Sequence, residues 1–235
     1  MDLQDLIELF RKQVADKDDP YLWDDEEVLQ YIIEAQDTFV QRTGGISVMT
    51  VVEADDPDNE ELHDLEISED GPYSDFSPYI LRIRSARLVT ARRDVKIISE
   101  ADFSQIRTVD YGIISPTFLD DTDTGTVTHG IIGLVDKKLR WYKVPSEDDT
   151  CRLHVYRLPY PRIASQEDDL EIPEQYHIHL LKGAKASAYM KEDAETYDKE
   201  LASSNEQMFE KVCEEARLAL DRQRFKPRTI QYGGI

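Results

Sequence analysis

The sequence contains little cysteine and no long apolar run. Its two cysteines, Cys151 and Cys213, are too few and too far apart for a disulfide framework or a zinc ribbon, so we expect two buried thiols in a reducing compartment. No stretch reaches the roughly 18 apolar residues that a membrane-spanning helix needs, and residues 1–4 lack the layout of a signal peptide. We therefore expect a protein that is made in the cytoplasm and has no membrane partner.

Basic residues are also scarce, because 28 lysines and arginines oppose 49 acidic residues and leave a net charge of −21. This balance argues against a general nucleic-acid binder. The charges are segregated along the chain, since residues 16–75 contain only two basic residues, Lys17 and Arg42. A run of arginines without an intervening acid comes next: Arg82, Arg84, Arg87, Arg92 and Arg93. Such segregation is expected where one surface of a protein meets a different surface of a neighbour or partner.

The sequence lacks the motifs of common enzyme classes. It has no glycine-rich phosphate loop, no Gly-x-Ser-x-Gly elbow and no Cys-His metal cluster. The triplet Asp123-Thr124-Gly125 occurs in aspartic proteases, but acidic residues precede it where those enzymes have an apolar strand, so a hairpin loop is the favoured interpretation. The same loop lacks the following glycine and the closing glutamate of an EF-hand.

Two histidines are the other candidates for metal ligands. His177 and His179 are two residues apart, so on a helix they point in different directions and cannot hold one ion. We interpret His177 as a residue at the boundary of the core. The sequence therefore predicts no enzymatic activity, no cofactor and no metal site.

Two helices are predicted near the N-terminus. The first begins after Asp2 and carries a regular apolar stripe. The second has Asp24 as its N-cap and Glu27 at the third helical position, which is the pattern of a capping box. It is expected to end at Gly44 and Gly45.

A second helical region spans residues 172–220. Pro173 suits the first helical position, and we expect a break within residues 192–195 because roughly 25 residues is already long for a globular helix. Four residues form a narrow face on which another helix can pack closely: Gly183, Ala184, Ser187 and Ala188. A further apolar stripe comprises Leu201, Met208, Val212, Cys213, Ala216 and Leu220.

The segment between the helical regions has the pattern of β structure, with β-branched residues and frequent turns. Strands are predicted at residues 46–52, 79–83, 87–90, 95–98, 128–135, 139–144 and 153–158, and a turn at residues 120–125. Alternation within 79–83 places Leu81 and Ile83 on one face of a strand. Residues 53–77 contain 11 acids and no base, which predicts a solvated excursion or a mobile loop.

These patterns predict an α+β protein whose aromatic content indicates a folded chain. Neither helical region has enough apolar surface for a stable core, so we expect residues 1–45 and 166–222 to form one helical bundle. Residues 46–165 are then an inserted antiparallel β domain, and residues 223–235 an extended C-terminal arm.

The arm mixes basic and bulky apolar residues with proline and glycine. A frayed tail is one interpretation, because chain termini are commonly disordered. Against this, Phe225, Ile230, Tyr232 and Ile235 are costly to expose to water. Their mixture with arginine and lysine is typical of an interface anchor.

Four segments of the chain carry a resemblance to a known family. They are YLWDDEE at residues 21–27, the segment at residues 87–98 that begins with RLVT, LRWYKVP leading to LHVYRLP at residues 139–159, and IPEQYH at residues 172–177. In this order they resemble the head-to-tail connector, or portal adaptor, proteins of tailed bacteriophages.

The resemblance implies a structural virion protein in the neck of the particle, assembled in the host cytoplasm. It implies a ring of twelve copies under the portal protein that joins the portal to tail or nozzle proteins, with genomic DNA passing through the lumen without sequence-specific contact. The narrow face at Gly183, Ala184, Ser187 and Ala188 would serve bundle packing. Portal binding is carried over to the arm: Arg224, Phe225, Lys226, Pro227, Arg228, Thr229, Ile230, Gln231 and Tyr232.

Two alternatives from other functional classes remain open at this point. The net charge of −21 is compatible with an acidic DNA mimic that inhibits a host nuclease, although this leaves the basic arm unexplained. The triplet at Asp123 is compatible with a dimeric aspartic protease.

Overall fold

The structure is a computed structural model that describes residues 1–16, 20–49, 64–103, 121–192 and 196–224. The chain divides into two compact units. Met1–Gly45 and Pro159–Ile235 form the helical unit, and Ile46–Leu158 forms the β unit. The predicted α+β class is confirmed.

The helical unit contains four helices and one short 3-10 turn among the described residues. The helices are α1 (Leu3–Val14), α2 (Asp25–Thr43), α3 (His177–Tyr189) and α4 (Lys199–Arg224), and the turn at Glu174–Tyr176 precedes α3. Helix α3 contacts each of the other three helices. The predicted division of the C-terminal helical region into two helices is confirmed.

The helix ends follow from local capping chemistry. The Asp2 carboxylate accepts the Asp5 amide at 2.7 Å, and the Asp24–Glu27 capping box forms as predicted. Helix α2 ends at Gly44, whose φ of 86° is the left-handed conformation that glycine adopts readily. The Asp198 side chain accepts the amides of Glu200 and Leu201 at the start of α4, a cap that was not predicted.

The predicted start of the third helix is wrong by four residues. Pro173 has a ψ of 134°, which is not helical, and its carbonyl accepts the Tyr176 amide at 2.9 Å to form the 3-10 turn. The α-helix itself begins at His177. A 3-10 turn tolerates the same residues as a first helical turn, so the sequence pattern does not separate the two.

The predicted stripe of α4 is also partly wrong. Leu201 and Met208 are 45% and 50% exposed. The residues that follow them, Ala202 and Phe209, are buried instead. The predicted positions Cys213 and Ala216 are also buried. Helix α4 is turned so that small and aromatic side chains, rather than leucine and methionine, pack inward.

The β unit is built from ten strands among the described residues. They are β1 (Ile46–Met49), β2 (Asp64–Ile67), β3 (Tyr73–Asp75), β4 (Ile80–Leu88), β5 (Asp94–Ser99), β6 (Thr124–Gly125), β7 (His129–Ile132), β8 (Lys138–Trp141), β9 (Val144–Pro145) and β10 (Asp149–Arg157). Eight of them form one sheet in the order β1-β10-β4-β5-β7-β8-β3, with β2 also paired to β10. Strands β6 and β9 form a separate pair.

The large sheet curls upon itself. The Ser74 hydroxyl on β3 donates to the Glu66 carbonyl on β2 at 2.6 Å, so strands from opposite ends of the sheet order meet. Leu139, Trp141, Leu153 and Val155 are buried inside the curl. The core of the β unit is therefore enclosed by a single sheet.

The predicted antiparallel β domain is antiparallel in most of its pairings, with two exceptions. Strands β5 and β7 pair in parallel, as do β6 and β9. A parallel pair requires a long crossover, and the chain between β5 and β7 is long enough to provide one. All other pairings are antiparallel among the described residues.

The prediction of a solvated excursion or a mobile loop at residues 53–77 is wrong where β2 and β3 form. Leu65 and Ile67 are 4% and 3% exposed, while Asp64 and Glu66 alternate with them on the other face. The alternation of apolar and acidic residues is present in the sequence, but the high acid content of the whole segment favoured a solvated loop over a strand. Residues 50–63 lie outside the described residues.

Strand β4 does not alternate regularly, so Leu81 and Ile83 do not share a buried face. Leu81 is 43% exposed, whereas Ile83 is 9% exposed. The register against β10 shifts at two points along this pairing. Each shift behaves as a β-bulge, which adds an unpaired residue to one strand and rotates the residues after it.

Candidate functional site

The narrow face of α3 lies where three helices meet. A Cβ atom added to Gly183 would be 2.9 Å from the Ala35 Cβ on α2 and 3.1 Å from the Phe209 Cε1 on α4. Only a hydrogen atom fits this space without displacement of a neighbour. Ala184 and Ala188 on the same helix are fully buried.

A groove opens beside this junction. It has a volume of about 480 Å³ and lies between α2, α3 and α4. Ser187 lines it together with Thr38, Ala186 and Ala202, and charged side chains of α2 and α4 also line it. The Arg42–Glu210 ion pair at 3.0 Å joins α2 to α4 there.

The predicted portal-binding arm falls almost entirely outside the described residues. Arg224 is the last residue of α4. Phe225, Lys226, Pro227, Arg228, Thr229, Ile230, Gln231 and Tyr232 lie beyond it and are not described. The arm therefore follows directly from the end of a 26-residue helix.

The outer side of the curled sheet carries a cluster of basic and aromatic side chains, which we call the cationic face. It consists of the exposed Arg82 and Arg84 on β4, of His154, which is of intermediate exposure, and of Tyr156 on β10, which is only 3% exposed. The Arg82 guanidinium carbon lies 4.4 Å from the centroid of the Tyr156 ring, and the His154 ring stacks on the same tyrosine at 6.3 Å.

Both arginines of the cationic face are exposed. Within the part of the chain that the structure describes, neither pairs with a carboxylate. Burial, followed by the charge of Arg84, lowers the pKa of His154 from its ordinary value of 6.5. The histidine ring is therefore mostly neutral at pH 7, and the positive charge of the cationic face resides on the two guanidinium groups.

Two arginines at neighbouring positions are neutralised. Arg87 pairs with Asp94 at 3.1 Å across the β4–β5 pairing. The Arg152 side chain donates to both carboxylate oxygens of Asp64, at 2.9 and 2.8 Å. Arg82 and Arg84 differ from these residues in presenting their charge to solvent.

Asp123 and His177, which were considered for catalysis and metal binding, have structural partners. The Asp123 carboxylate pairs with Lys143 at 3.1 Å, in the loop that leads into β6. His177 is 8% exposed, and its ring nitrogens lie 3.1 Å from the Met1 carbonyl oxygen and 2.9 Å from that of Ile172. The His177 side chain therefore links the N-terminal residue to the start of α3. The described residues contain no cluster of metal-ligating side chains.

The two cysteines are free and buried. Burial raises the pKa of Cys151 to about 12 and that of Cys213 to about 11. A thiol reacts as its thiolate, so both groups are poor nucleophiles at neutral pH. This agrees with the interpretation of both residues as core positions.

Residues 1–231 match the SU10 adaptor protein family, a family of bacteriophage head–tail adaptors. The chain belongs to this family. The match spans both units, and it makes this adaptor a structural phage protein whose family implies a place in the neck of the virion. No curated protein matches the sequence. None of the helices that the structure describes is long and apolar enough to span a membrane.

The sequence identified the arginine run but not the aromatic half of the cationic face. His154 and Tyr156 are about 70 residues away from Arg82 and Arg84. They meet only because β10 pairs with β4 in the observed register. Because side chains alternate along a strand, the sequence would have placed His154 and Tyr156 on the face of β10 opposite Leu153 and Val155, although not beside the arginines. Burial does not separate the two faces here, since Tyr156 is also only 3% exposed.

Proposed function

We propose that this adaptor forms a ring beneath the portal protein and links the portal to tail or nozzle proteins. The observation that carries the proposal is the family match over residues 1–231, because it covers both units and not a single motif. The four segments that resemble portal adaptor proteins lie within the same range. A ring of twelve copies is the arrangement that this resemblance favours.

Docking on the portal is assigned to residues 224–232. The support is their composition, in which Arg224, Lys226 and Arg228 accompany Phe225 and Tyr232. Aromatic residues and arginine are the types enriched in the buried centres of protein interfaces. Helix α4 presents the segment at its end, since Arg224 is its last residue.

Packing of the helical unit is assigned to Gly183, Ala184, Ser187 and Ala188. The close approach of Ala35 and Phe209 to Gly183 supports this role. A rigid junction of α2, α3 and α4 would fix the direction in which α4 carries the portal-binding residues.

Passage of DNA through the ring is supported by the charge of the chain. A surface with a net charge of −21 repels a phosphate backbone, which lets a duplex slide without sequence-specific contact. The family match also favours an adaptor over the DNA-mimic alternative, because the matched family is one of bacteriophage head–tail adaptors.

A truncation tests the docking step. A chain that lacks residues 225–235 retains every described helix and strand, so its far-ultraviolet circular dichroism and melting temperature should match those of the full chain. Mixed with purified portal, the full chain should give occupied portals in negative-stain images, and the truncated chain should not. A matched variant, F225A/Y232A, should weaken docking without shortening the chain.

Three results would count against the proposal in different ways. Failure of the full chain to bind the portal refutes the adaptor function as stated. Equal binding by the full and truncated chains refutes only the assignment of residues 224–232. Loss of fold on truncation would show that the segment belongs to the helical unit.

A further inference from the structure

The β unit carries an acidic cluster at one end, which we call the acidic end. It consists of Glu69 and Asp70 in the β2–β3 loop and of Glu147 and Asp148 before β10, all of them exposed. The Asp148 carboxylate accepts the Glu69 amide at 2.9 Å, so the two loops are joined. The cluster is therefore a fixed feature of the unit.

Strand β10 separates the acidic end from the cationic face. It begins at Asp149, next to the acidic end, and reaches Tyr156 beside Arg82. At about 3.3 Å per residue the two charged surfaces are roughly 20 Å apart on the same strand. The exposed Arg92 and Arg93 lie near the acidic end, because the Asp149 carboxylate accepts the Thr90 and Ala91 amides, but the four carboxylates outnumber them. One compact unit thus presents a net negative and a net positive surface at two separate places.

We propose that copies of this chain associate head to tail through their β units, with the cationic face of one copy against the acidic end of the next. The proposal rests on the proposed ring, and it names the surfaces that would hold neighbouring copies together. A contact between two different surfaces repeats from copy to copy, and closes into a ring when the rotation permits.

The geometry of the cationic face fits carboxylate ligands. Arg82 is held over the Tyr156 ring, so its planar guanidinium is oriented before a partner arrives. Arg84 presents a second guanidinium close enough to His154 to affect its titration. Two guanidinium groups can pair with two or more carboxylates in the bidentate geometry that arginine prefers.

A second copy is the occupant that charge complementarity favours. The chain carries a net charge of −21, so two copies repel each other unless a positive surface of one meets a negative surface of the other. A nucleic-acid partner is disfavoured, because two arginines must act against the same overall negative charge. The contact is expected to weaken as salt is added.

Charge reversal on the full chain tests the proposal. R82E/R84E should lower the self-association constant, measured by sedimentation velocity at low salt over a concentration series, by about tenfold or more. E69K/E147K should do the same, and it spares the bond between Asp148 and the Glu69 amide. A chain with all four substitutions exchanges the two charges and should recover association.

The control K137E/K211E changes the net charge by the same amount as R82E/R84E, but at two exposed lysines outside the cationic face. It should retain association. All substituted positions are exposed, so the melting temperatures should stay close to that of the wild type.

Three outcomes overturn the proposal. They are a wild-type chain that stays monomeric at every concentration, an R82E/R84E chain that associates like the wild type, and failure of the fourfold variant to recover. Binding of a labelled DNA duplex that R82E/R84E abolishes would assign the cationic face to DNA instead. The portal is absent from these measurements, so their failure is distinct from failure of the portal-docking test.

Discussion

At the scale of single residues, two consecutive hydrogen bonds link the strands that meet where the sheet curls upon itself. The Trp141 indole nitrogen donates to the Ser74 hydroxyl at 3.0 Å, and that hydroxyl donates to the Glu66 carbonyl at 2.6 Å. Trp141 is fully buried, so its donor has no access to water. Ser74 therefore satisfies two polar groups from different strands at once.

Replacement of Ser74 by alanine leaves the Trp141 indole without its acceptor. We expect S74A to lower the free energy of unfolding by about 1–3 kcal/mol, the cost of an unsatisfied buried donor. Urea denaturation followed by tryptophan fluorescence measures it. S68A is the matched control, because Ser68 is exposed and bonds only to Asp70 nearby. Equal stability of the two variants would contradict the role given to Ser74.

Arg11 holds the turn between the first two helices. Its guanidinium pairs with Asp16 at 2.9 Å and with Asp25 at 2.5 Å, and the Asp16 carboxylate also accepts the Leu22 amide. Arg11 and Asp16 are 9% and 4% exposed. The pair is therefore buried, unlike the exposed Lys12–Glu8 pair one residue further along.

Removal of Arg11 leaves the buried Asp16 carboxylate without its positively charged partner, with only the Leu22 amide, among the described residues, to compensate its charge. We expect R11A to destabilise the protein by about 3 kcal/mol or more, since broken buried pairs are costly. K12A should have little effect, because exposed pairs contribute little. Thermal denaturation of both variants makes the comparison. A loss in K12A as large as that in R11A would refute the distinction.

Asp149 should make the β unit sensitive to acid. Burial raises the pKa of its carboxyl, but hydrogen bonds from the amides of Thr90, Ala91 and Thr150 outweigh burial and hold the pKa below its ordinary value of 3.8. A carboxyl whose folded pKa is depressed contributes stability above its unfolded pKa. That contribution is lost as the pH falls through the folded pKa.

The variant D149N isolates this contribution. The difference in unfolding free energy between wild type and D149N should be constant from neutral pH down to about pH 5, and should shrink at lower pH. Urea denaturation at a series of pH values measures it. A difference that does not change with pH would show that the ionised form of Asp149 is not what stabilises the fold.

At the scale of elements, the ends of the first two helices were predictable because capping is local chemistry. Asp2, Asp24 and Gly44 each act within three or four residues of their own position. The inward face of α4 was not predictable in the same way. Leu201 and Ala202 are both apolar, so the sequence of α4 alone does not show which of them is buried. That depends on the space that α3 leaves beside Gly183.

Among the strands, too, features set by local sequence were predictable, and features set by pairing with a distant strand were not. Leu65 and Ile67 alternate with acids, so β2 could have been found from its period alone. The bulges of β4 could not, because they depend on the register with β10. The cationic face depends on that register too, which is why only its arginines were visible in the sequence.

The junction of α2, α3 and α4 makes a prediction about Gly183. Alanine is the better helix former by about 1 kcal/mol, yet its Cβ would approach Ala35 to 2.9 Å. We expect overpacking to prevail, so that G183A lowers the free energy of unfolding by about 1 kcal/mol or more. The control I178A truncates an exposed side chain of the same helix and should have a much smaller effect. A more stable G183A would contradict the close packing.

At the scale of the whole molecule, the two units suggest different contributions to an adaptor. The helical unit ends in α4, which leads into the basic and aromatic segment assigned to the portal. The β unit has opposite charges at two places, which suits contacts between copies. The fold class was predictable from the order of helical and β patterns along the chain, whereas the curl of the sheet required the pairing of distant strands.

An adaptor of the proposed kind occupies a ring of binding sites on the portal. Cryo-electron microscopy of purified portal saturated with the full-length chain, without other phage proteins, measures the occupancy of these sites. We expect a ring of copies under the portal, with the segment after Arg224 in contact with portal subunits. Portals that remain bare at saturating concentration, or copies bound through the β unit with that segment free, would contradict the proposed function.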